Sequence, residues 1–223
     1  RGHRLGLGKT RIREEKTMQE HLARLQHPNP SVRRNAAEAL GHMGAAAARP
    51  EVLGALLERL REDENMWVRR EAARALRWMG EAAATPKVIG ALTERLLRDE
   101  DWEVRSAAAR SLGWMGEAAA TPEVLGALIQ ALREDEAWWV REAAAETLGK
   151  MGAAAATPEV IEALIQRLRE DEVGWVRVAA AEALGKMGEA AAQREVLEAL
   201  VQCLRKDKVE RVRETAAGVL GSM

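Results

Sequence analysis

The valines at 32, 68, 104, 140, 176 and 212 are each followed by arginine and stand 36 residues apart, with no insertion or deletion between them. A fixed period of roughly 20–50 residues means one small unit copied and stacked, so the chain is an array before it is anything else. Whatever it does is to be sought on a repeated surface.

Each copy has two halves with their own start, face and stop. In residues 85 to 116, Thr85 can cap a helix by accepting from the free N–H groups of the first turn, and Pro86 suits the first helical position, where its missing N–H had no partner. Thr121-Pro122 and Thr157-Pro158 repeat the signal. Val88, Leu92 and Leu96 recur every four residues with Ile89 beside them, the stripe of a helix buried along one side, and Arg98-Asp-Glu-Asp ends it. The second half runs through Val104, Ala108, Leu112 and Met115, rich in alanine that lets helices approach closely. Gly116 closes it, as Gly44, Gly80, Gly152 and Gly188 close theirs, because glycine enters left-handed backbone geometry cheaply.

Burial of about eight large aliphatics per copy contributes roughly 1.5–3 kcal/mol each, while ordering the copy costs about 1–2 kcal/mol per residue in backbone entropy. One copy cannot fold alone, so neighbours must supply the stability. The expected fold is all-α, a right-handed α-solenoid of about six stacked two-helix repeats.

The run Val-Arg-x-x-Ala-Ala-x-x-Leu-Gly-x-Met-Gly of residues 140 to 152 resembles the second helix of HEAT repeats, particularly the short bacterial HEAT-like type also found in phycobilisome lyases. The resemblance covers nearly the whole chain. It implies a fold that carries scaffolds, sensors, transport factors and a few enzymes. It also implies a ladder between adjacent repeats, made by an aspartate at the inter-helix turn and the arginine after the valine. Asp63, Asp99, Asp135, Asp171 and Asp207 share the period with Arg69, Arg105, Arg141, Arg177 and Arg213 and read as structural, since partly buried charges persist when paired.

Composition bounds the rest. Hydrophobic residues make up 47% and charged residues 31% of the chain, with no run of about 18 apolar residues to span a membrane. No secretory signal follows Arg1-Gly2-His3-Arg4, and the single Cys203 forms no intramolecular disulfide, so the expected compartment is cytoplasmic. The net charge of -1 argues against bulk attraction to nucleic acid. Residues 1–16, with six Lys or Arg against two Glu, read as a basic, poorly ordered tail, and residues 17–223 as one solenoid. The first copy is atypical, with Leu22 and Leu25 leading through His27-Pro28-Asn29-Pro30, and reads as a cap; the last carries no such adaptation, so the expectation is a piece of a longer protein or an engineered array.

The copies disagree on one stripe. Counting from each valine as zero, the buried offsets 0, 4, 8 and 11 cluster near about 35° on the helical wheel, and offsets -1, 2, 6 and 10 near about 245°. There the copies read Arg34, Glu38 and His42; Trp67, Arg70, Arg74 and Trp78; Glu103, Ser106, Arg110 and Trp114; Trp139, Glu142, Glu146 and Lys150; then Trp175, Val178, Glu182 and Lys186. In superhelices of the HEAT type the second helix lines the concave side, so the resemblance places this stripe in the groove. A constant scaffold with change concentrated on one face fits a binding surface, and tryptophan and arginine are enriched at interface hot spots. The chain has seven tryptophans and neither tyrosine nor phenylalanine, none of them at a core offset. The alternative role for Trp67, Trp102, Trp138, Trp139 and Trp175 is to cover the inter-helix turn.

Other chemistry is poorly supported. Gly6-Leu7-Gly8-Lys9-Thr10 is similar to the end of a phosphate-binding loop, but His3 stands where the pattern needs glycine and no strand precedes it. His3, His21, His27 and His42 show no metal spacing, and no catalytic, cofactor or metal residues emerge. The reading is a non-enzymatic protein-interaction module that binds another protein or peptide on its concave face, as the recognition part of a larger molecule; sensor ATPases of the NACHT class and designed repeat binders carry similar arrays. One alternative is nucleic-acid binding by Arg70, Arg74, Arg77 and Arg110 with Trp78 and Trp114, as the resemblance to HEAT-like DNA glycosylases allows. A further alternative is a bilin-lyase-like enzyme, by similarity to phycobilisome lyases.

Overall fold

The structure, a computed structural model, describes the backbone of residues 2–223 and the side chains from Ile12 onward. The described residues form twelve α-helices and no strand. They divide into two compact units, Arg1–Ala83 and Ala84–Met223.

The unit Arg1–Ala83 holds α1 (Gly2–Arg24), α2 (Pro30–His42), α3 (Pro50–Glu62) and α4 (Met66–Met79). Helix α1 runs through most of the segment read as a tail; the side chains of His3 and of the Gly6–Thr10 motif lie outside the described residues. Asn29 caps α2 by accepting from the Ser31 N–H at 2.8 Å, and Asn65 caps α4 by accepting from Trp67 at 3.0 Å. Helices α2 and α4 lie side by side, with α1 and α3 each against its own partner.

The unit Ala84–Met223 holds α5 (Pro86–Arg98), α6 (Trp102–Leu112), α7 (Pro122–Glu134), α8 (Trp138–Met151), α9 (Pro158–Glu170), α10 (Gly174–Lys186), α11 (Arg194–Lys206) and α12 (Glu210–Ser222). The odd-numbered helices pack in one layer and the even-numbered in another, each against its sequence neighbour in the other layer. The hydroxyls of Thr85, Thr121 and Thr157 accept from the N–H of Val88, Val124 and Val160 at 3.3, 3.4 and 3.3 Å, as the Thr-Pro signals predict. Val104, Leu112, Val140, Leu148, Val176 and Leu184 are fully buried between the layers.

The closing glycines do more than stop a helix. Gly44, Gly80, Gly116, Gly152 and Gly188 all have φ between 56° and 64°, and each opens a one-turn 3-10 helix whose last alanine (Ala47, Ala83, Ala119, Ala155, Ala191) is fully buried.

Candidate functional site

At the inter-helix turns Arg33, Arg105, Arg141 and Arg177, each following a repeat valine, reach forward one repeat. Arg33 donates from Nε and Nη2 to the two carboxylate oxygens of Asp63 at 2.7 and 2.8 Å. Arg105 does the same to Asp135 at 2.7 and 2.9 Å, Arg141 to Asp171 at 2.8 and 3.0 Å, and Arg177 to Asp207 at 2.7 and 2.8 Å. The remaining Nη1 turns back to the carbonyl oxygen at its own turn, as from Arg105 to Asp99 at 3.0 Å. Each gripped aspartate also accepts a backbone N–H two residues on, for example Asn65 to Asp63 at 3.0 Å. Burial pushes the Asp63 carboxyl up, but the Arg33 and Asn65 hydrogen bonds outweigh it and hold the carboxyl below the usual carboxylate range; the same opposition lowers Asp207. Clefts of about 360 and 410 Å³ beside these turns are lined by the ladder residues Arg105 and Asp135, and Arg177 and Asp207. This face is an interlock, as the family resemblance implies. Arg33, not among the ladder arginines read from the sequence, belongs to it; its signal was the Val32-Arg33 pair of the first copy.

The varied stripe of the second helices is built on close helix crossings. A Cβ on Gly149 would stand 2.8 Å from Ala183 Cα, so α8 and α10 meet almost backbone to backbone there. In the first unit Gly41 plays this part towards Ala75 and also gives Trp78 its seat. The Trp78 ring stacks on His42 of α2 with centroids 4.3 Å apart, and the Arg74 guanidinium lies 5.3 Å from its centroid. Arg70 lies over Trp67 at 4.6 Å, and Arg74 donates to buried Glu71 at 3.2 Å. Burial pushes the Glu71 carboxyl up, with Arg74 opposing. Arg34 and Glu38 of α2, both half-buried, complete the face.

In the second unit the same offsets pair from copy to copy. Arg110 donates to Glu146 at 3.0 Å, to Glu142 at 3.1 Å and to the Ser106 hydroxyl at 3.0 Å. Burial and the neighbouring Glu146 raise the Glu142 carboxyl, against Arg110. The Lys150 ammonium sits 3.8 Å above the Trp114 ring. Trp139 stacks on Trp102 at 5.7 Å and on Trp138 at 3.6 Å. Glu182 and Lys186 line a groove of about 460 Å³ along α10 and α12. Ser106 and Val178 are buried, which departs from the outward placement that the helical wheel gives offset 2. The reason is side-by-side packing of the second helices, which covers that edge of the stripe with the next copy.

Residues 18–95, 55–128, 89–185 and 125–221 match the family described as HEAT repeats. The chain belongs to the HEAT-repeat family. Its fold is an all-α HEAT-like solenoid. The complex of CpcE and CpcF of phycocyanin lyase from Nostoc sp. PCC7120 is similar at 28% identity and a TM-score of 0.58, over 92% of this chain and 76% of that one. The archaeal HEAT-like repeats protein from Thermococcus onnurineus NA1 is similar in fold at 16% identity and a TM-score of 0.63, over 97% and 90% of the two chains. A Kap121p mutant matches at 16% identity and a TM-score of 0.70, over 90% of this chain and 22% of that one. No curated protein matches.

Within this HEAT array the second helices bring Arg34, Glu38, Arg70, Arg74 and Trp78 together in one unit and Arg110, Glu142, Glu146, Trp114 and Lys150 together in the other. A HEAT repeat protein of this build is suited to protein interaction. Among the described residues no group of three or more His, Cys, Asp or Glu could hold a metal ion, and no helix is long and apolar enough to cross a membrane.

Proposed function

We propose that the chain is a protein-interaction module whose docking surface is the varied stripe of its second helices, on the side that HEAT superhelices make concave. The observation that carries this reading is the exposure of its tryptophans: Trp67, Trp114, Trp139 and Trp175 leave 42–57% of their surface in solvent although each sits on or beside an ordered helix. Indole area held at a surface by stacking is preorganised for a partner, because little side-chain freedom remains to be lost. Cation–π and stacking contacts fix Trp67, Trp114 and Trp139 without covering them. Related structures support the reading, since Kap95p, named as binding RanGDP, shares the fold at a TM-score of 0.64.

The experiment is capture by the immobilised chain followed by identification of what is retained, repeated with Arg74→Ala, Trp114→Ala, Trp139→Ala and Trp175→Ala combined. Loss of the retained protein with unchanged helicity and melting supports the stripe as docking surface; undiminished capture removes it. A second reading, a bilin-lyase-like enzyme, has the 28% identity to the CpcE and CpcF complex in its favour. It requires a shift of bilin absorbance on mixing.

A further inference from the structure

We propose that the face of α11 and α12 turned away from α9 and α10 is a second docking surface, which takes a two-helix hairpin of a partner chain carrying an aspartate at its turn. The surface is separate from the varied stripe, and the proposal goes beyond that reading. Three positions on it carry the argument, each set against its counterparts 36 residues apart in the same unit.

The first is Arg213. Arg105, Arg141 and Arg177 each close Nε and Nη2 on the carboxylate of the following turn at 2.7–3.0 Å. Their Nη1 holds the carbonyl oxygen of their own turn. Arg213 makes the inward bond alone, from Nη1 to the Asp207 carbonyl at 2.9 Å, and its Nε and Nη2 have no hydrogen-bond partner among the described residues. The guanidinium is thus anchored at one nitrogen, and the other two form the planar fork that a carboxylate takes bidentately.

The second is Gly221. Glycines at this position let the second helices of neighbouring copies approach: a Cβ would stand 3.3 Å from Thr147 on Gly113, 2.8 Å from Ala183 Cα on Gly149, and 3.0 Å from Val219 on Gly185. A Cβ on Gly221 would meet nothing within 4 Å. Helix α12 therefore presents the same flat crossing point to solvent.

The third is Leu204. Leu96, Leu132 and Leu168 hold the same position in α5, α7 and α9, where the next odd-numbered helix packs alongside, and are at most 1% exposed. Leu204 on α11 is 37% exposed. Covering it gains the apolar burial that its counterparts already have.

A helix pair built like α9 and α10 meets all three at once, with a carboxylate for Arg213, a small residue across Gly221 and an aliphatic side chain against Leu204. A phosphate could satisfy Arg213 but would leave Leu204 uncovered. A second copy of this chain has no turn aspartate to offer. Its Asp63, Asp135, Asp171 and Asp207 are each gripped by an arginine, and Asp99 faces Arg95 at 3.6 Å. At the first turn His27 stands in the aspartate's place, with Nδ1 accepting the Asn29 N–H. The occupant is a different chain.

The test titrates the full chain into a fluorescein-labelled synthetic peptide with the sequence of residues 157–191, whose turn carries Asp171, and follows anisotropy and helicity. The expected result is saturable one-to-one binding with a gain of helix. Gly221→Leu or Arg213→Gln in the chain, or Asp171→Asn in the peptide, should each weaken it roughly tenfold or more. Combining Arg213→Gln with the peptide change should cost no more than either alone, as for two partners in one contact. Gly221→Leu improves helix propensity at an exposed position, so it serves as the readout should Arg213→Gln lower stability. Absence of saturable binding overturns the proposal, and so does binding indifferent to both chain variants. Sedimentation of the chain alone should show a monomer; a dimer abolished by Gly221→Leu would mean that a second copy covers this face, and the assignment to a partner chain falls.

Discussion

A Cβ placed on Gly41 would stand 2.5 Å from Cε3 of Trp78 and 2.8 Å from Cα of Ala75. The glycine of α2 is therefore the floor on which the indole of α4 lies, and the site's aromatic platform depends on a residue with no side chain. Gly41→Ala must separate α2 and α4 or expel the ring. We expect a loss of about 1–3 kcal/mol in urea unfolding together with a shift of tryptophan emission. An unchanged emission spectrum with full stability would contradict the contact.

The opposite outcome is expected at glycines with empty surroundings. Gly54, Gly90 and Gly126 lie inside α3, α5 and α7, are exposed, and have nothing within 4 Å of a built Cβ. Alanine there removes backbone freedom from the unfolded chain and meets no neighbour. Each replacement should stabilise by about 0.5–1 kcal/mol, measured as a raised unfolding midpoint with an unchanged denaturant slope.

The Arg33–Asp63 pair sets an acid-side limit. The side chain of Asp63 has no exposed surface and that of Arg33 only 8%. Breaking it with Asp63→Ala leaves a buried guanidinium without its carboxylate, at a cost of about 3–5 kcal/mol. Since the folded Asp63 carboxyl titrates below its unfolded value, its contribution is present above the unfolded value of about 3.9 and is lost as pH falls through the lower, folded value. Melting followed between neutral pH and pH of about 2 should therefore show a shallower acid-side decline in Asp63→Asn, from a lower starting point.

The fold was open to reading from the sequence because every level agreed: the period, the Thr-Pro starts and the glycine stops. The buried 3-10 turn was missed although Gly-Ala-Ala-Ala and Gly-Glu-Ala-Ala recur, since alanine after a helix-ending glycine carries no signal of burial. The varied stripe was legible as positions but not as contacts. A helical wheel places Arg110 outward; it cannot show that residues one period apart become neighbours, so that Arg110 closes on Glu146 and Lys150 on Trp114. The wheel also has no term for the next helix, which is why Ser106 is buried and Trp114 is not.

Cys203 should be chemically quiet until the chain opens. It is 6% exposed, its Sγ donates to the Leu168 carbonyl at 3.5 Å, and burial, followed by the nearby Asp207 charge, pushes the thiol up. Little thiolate is then available near neutrality. Reaction with an aromatic disulfide reagent should be slow in buffer and complete in urea, with a rate in buffer that follows the opening of α11. Prompt reaction in buffer would show that α9 does not cover the thiol.

Glu71 makes the opposite pH prediction to Asp63. Its side chain is 4% exposed, one oxygen accepts from Arg74 at 3.2 Å, and the other, Oε1, has no hydrogen-bond partner among the described residues. Burial raises its carboxyl, and the charge of Glu38 adds to the rise while Arg74 opposes it. A folded value above the unfolded one means that the protonated form is the one the fold prefers. The stability this group contributes is then present below the unfolded value of about 4.3 and is lost as pH rises through the folded value. Glu71→Gln keeps an acceptor for Arg74 and removes the ionisation. The variant should match the wild type in melting temperature at pH of about 4 and exceed it at neutral pH, with a flatter profile between. A variant less stable than the wild type at neutral pH would mean that the Arg74 ion pair outweighs the burial of the charge.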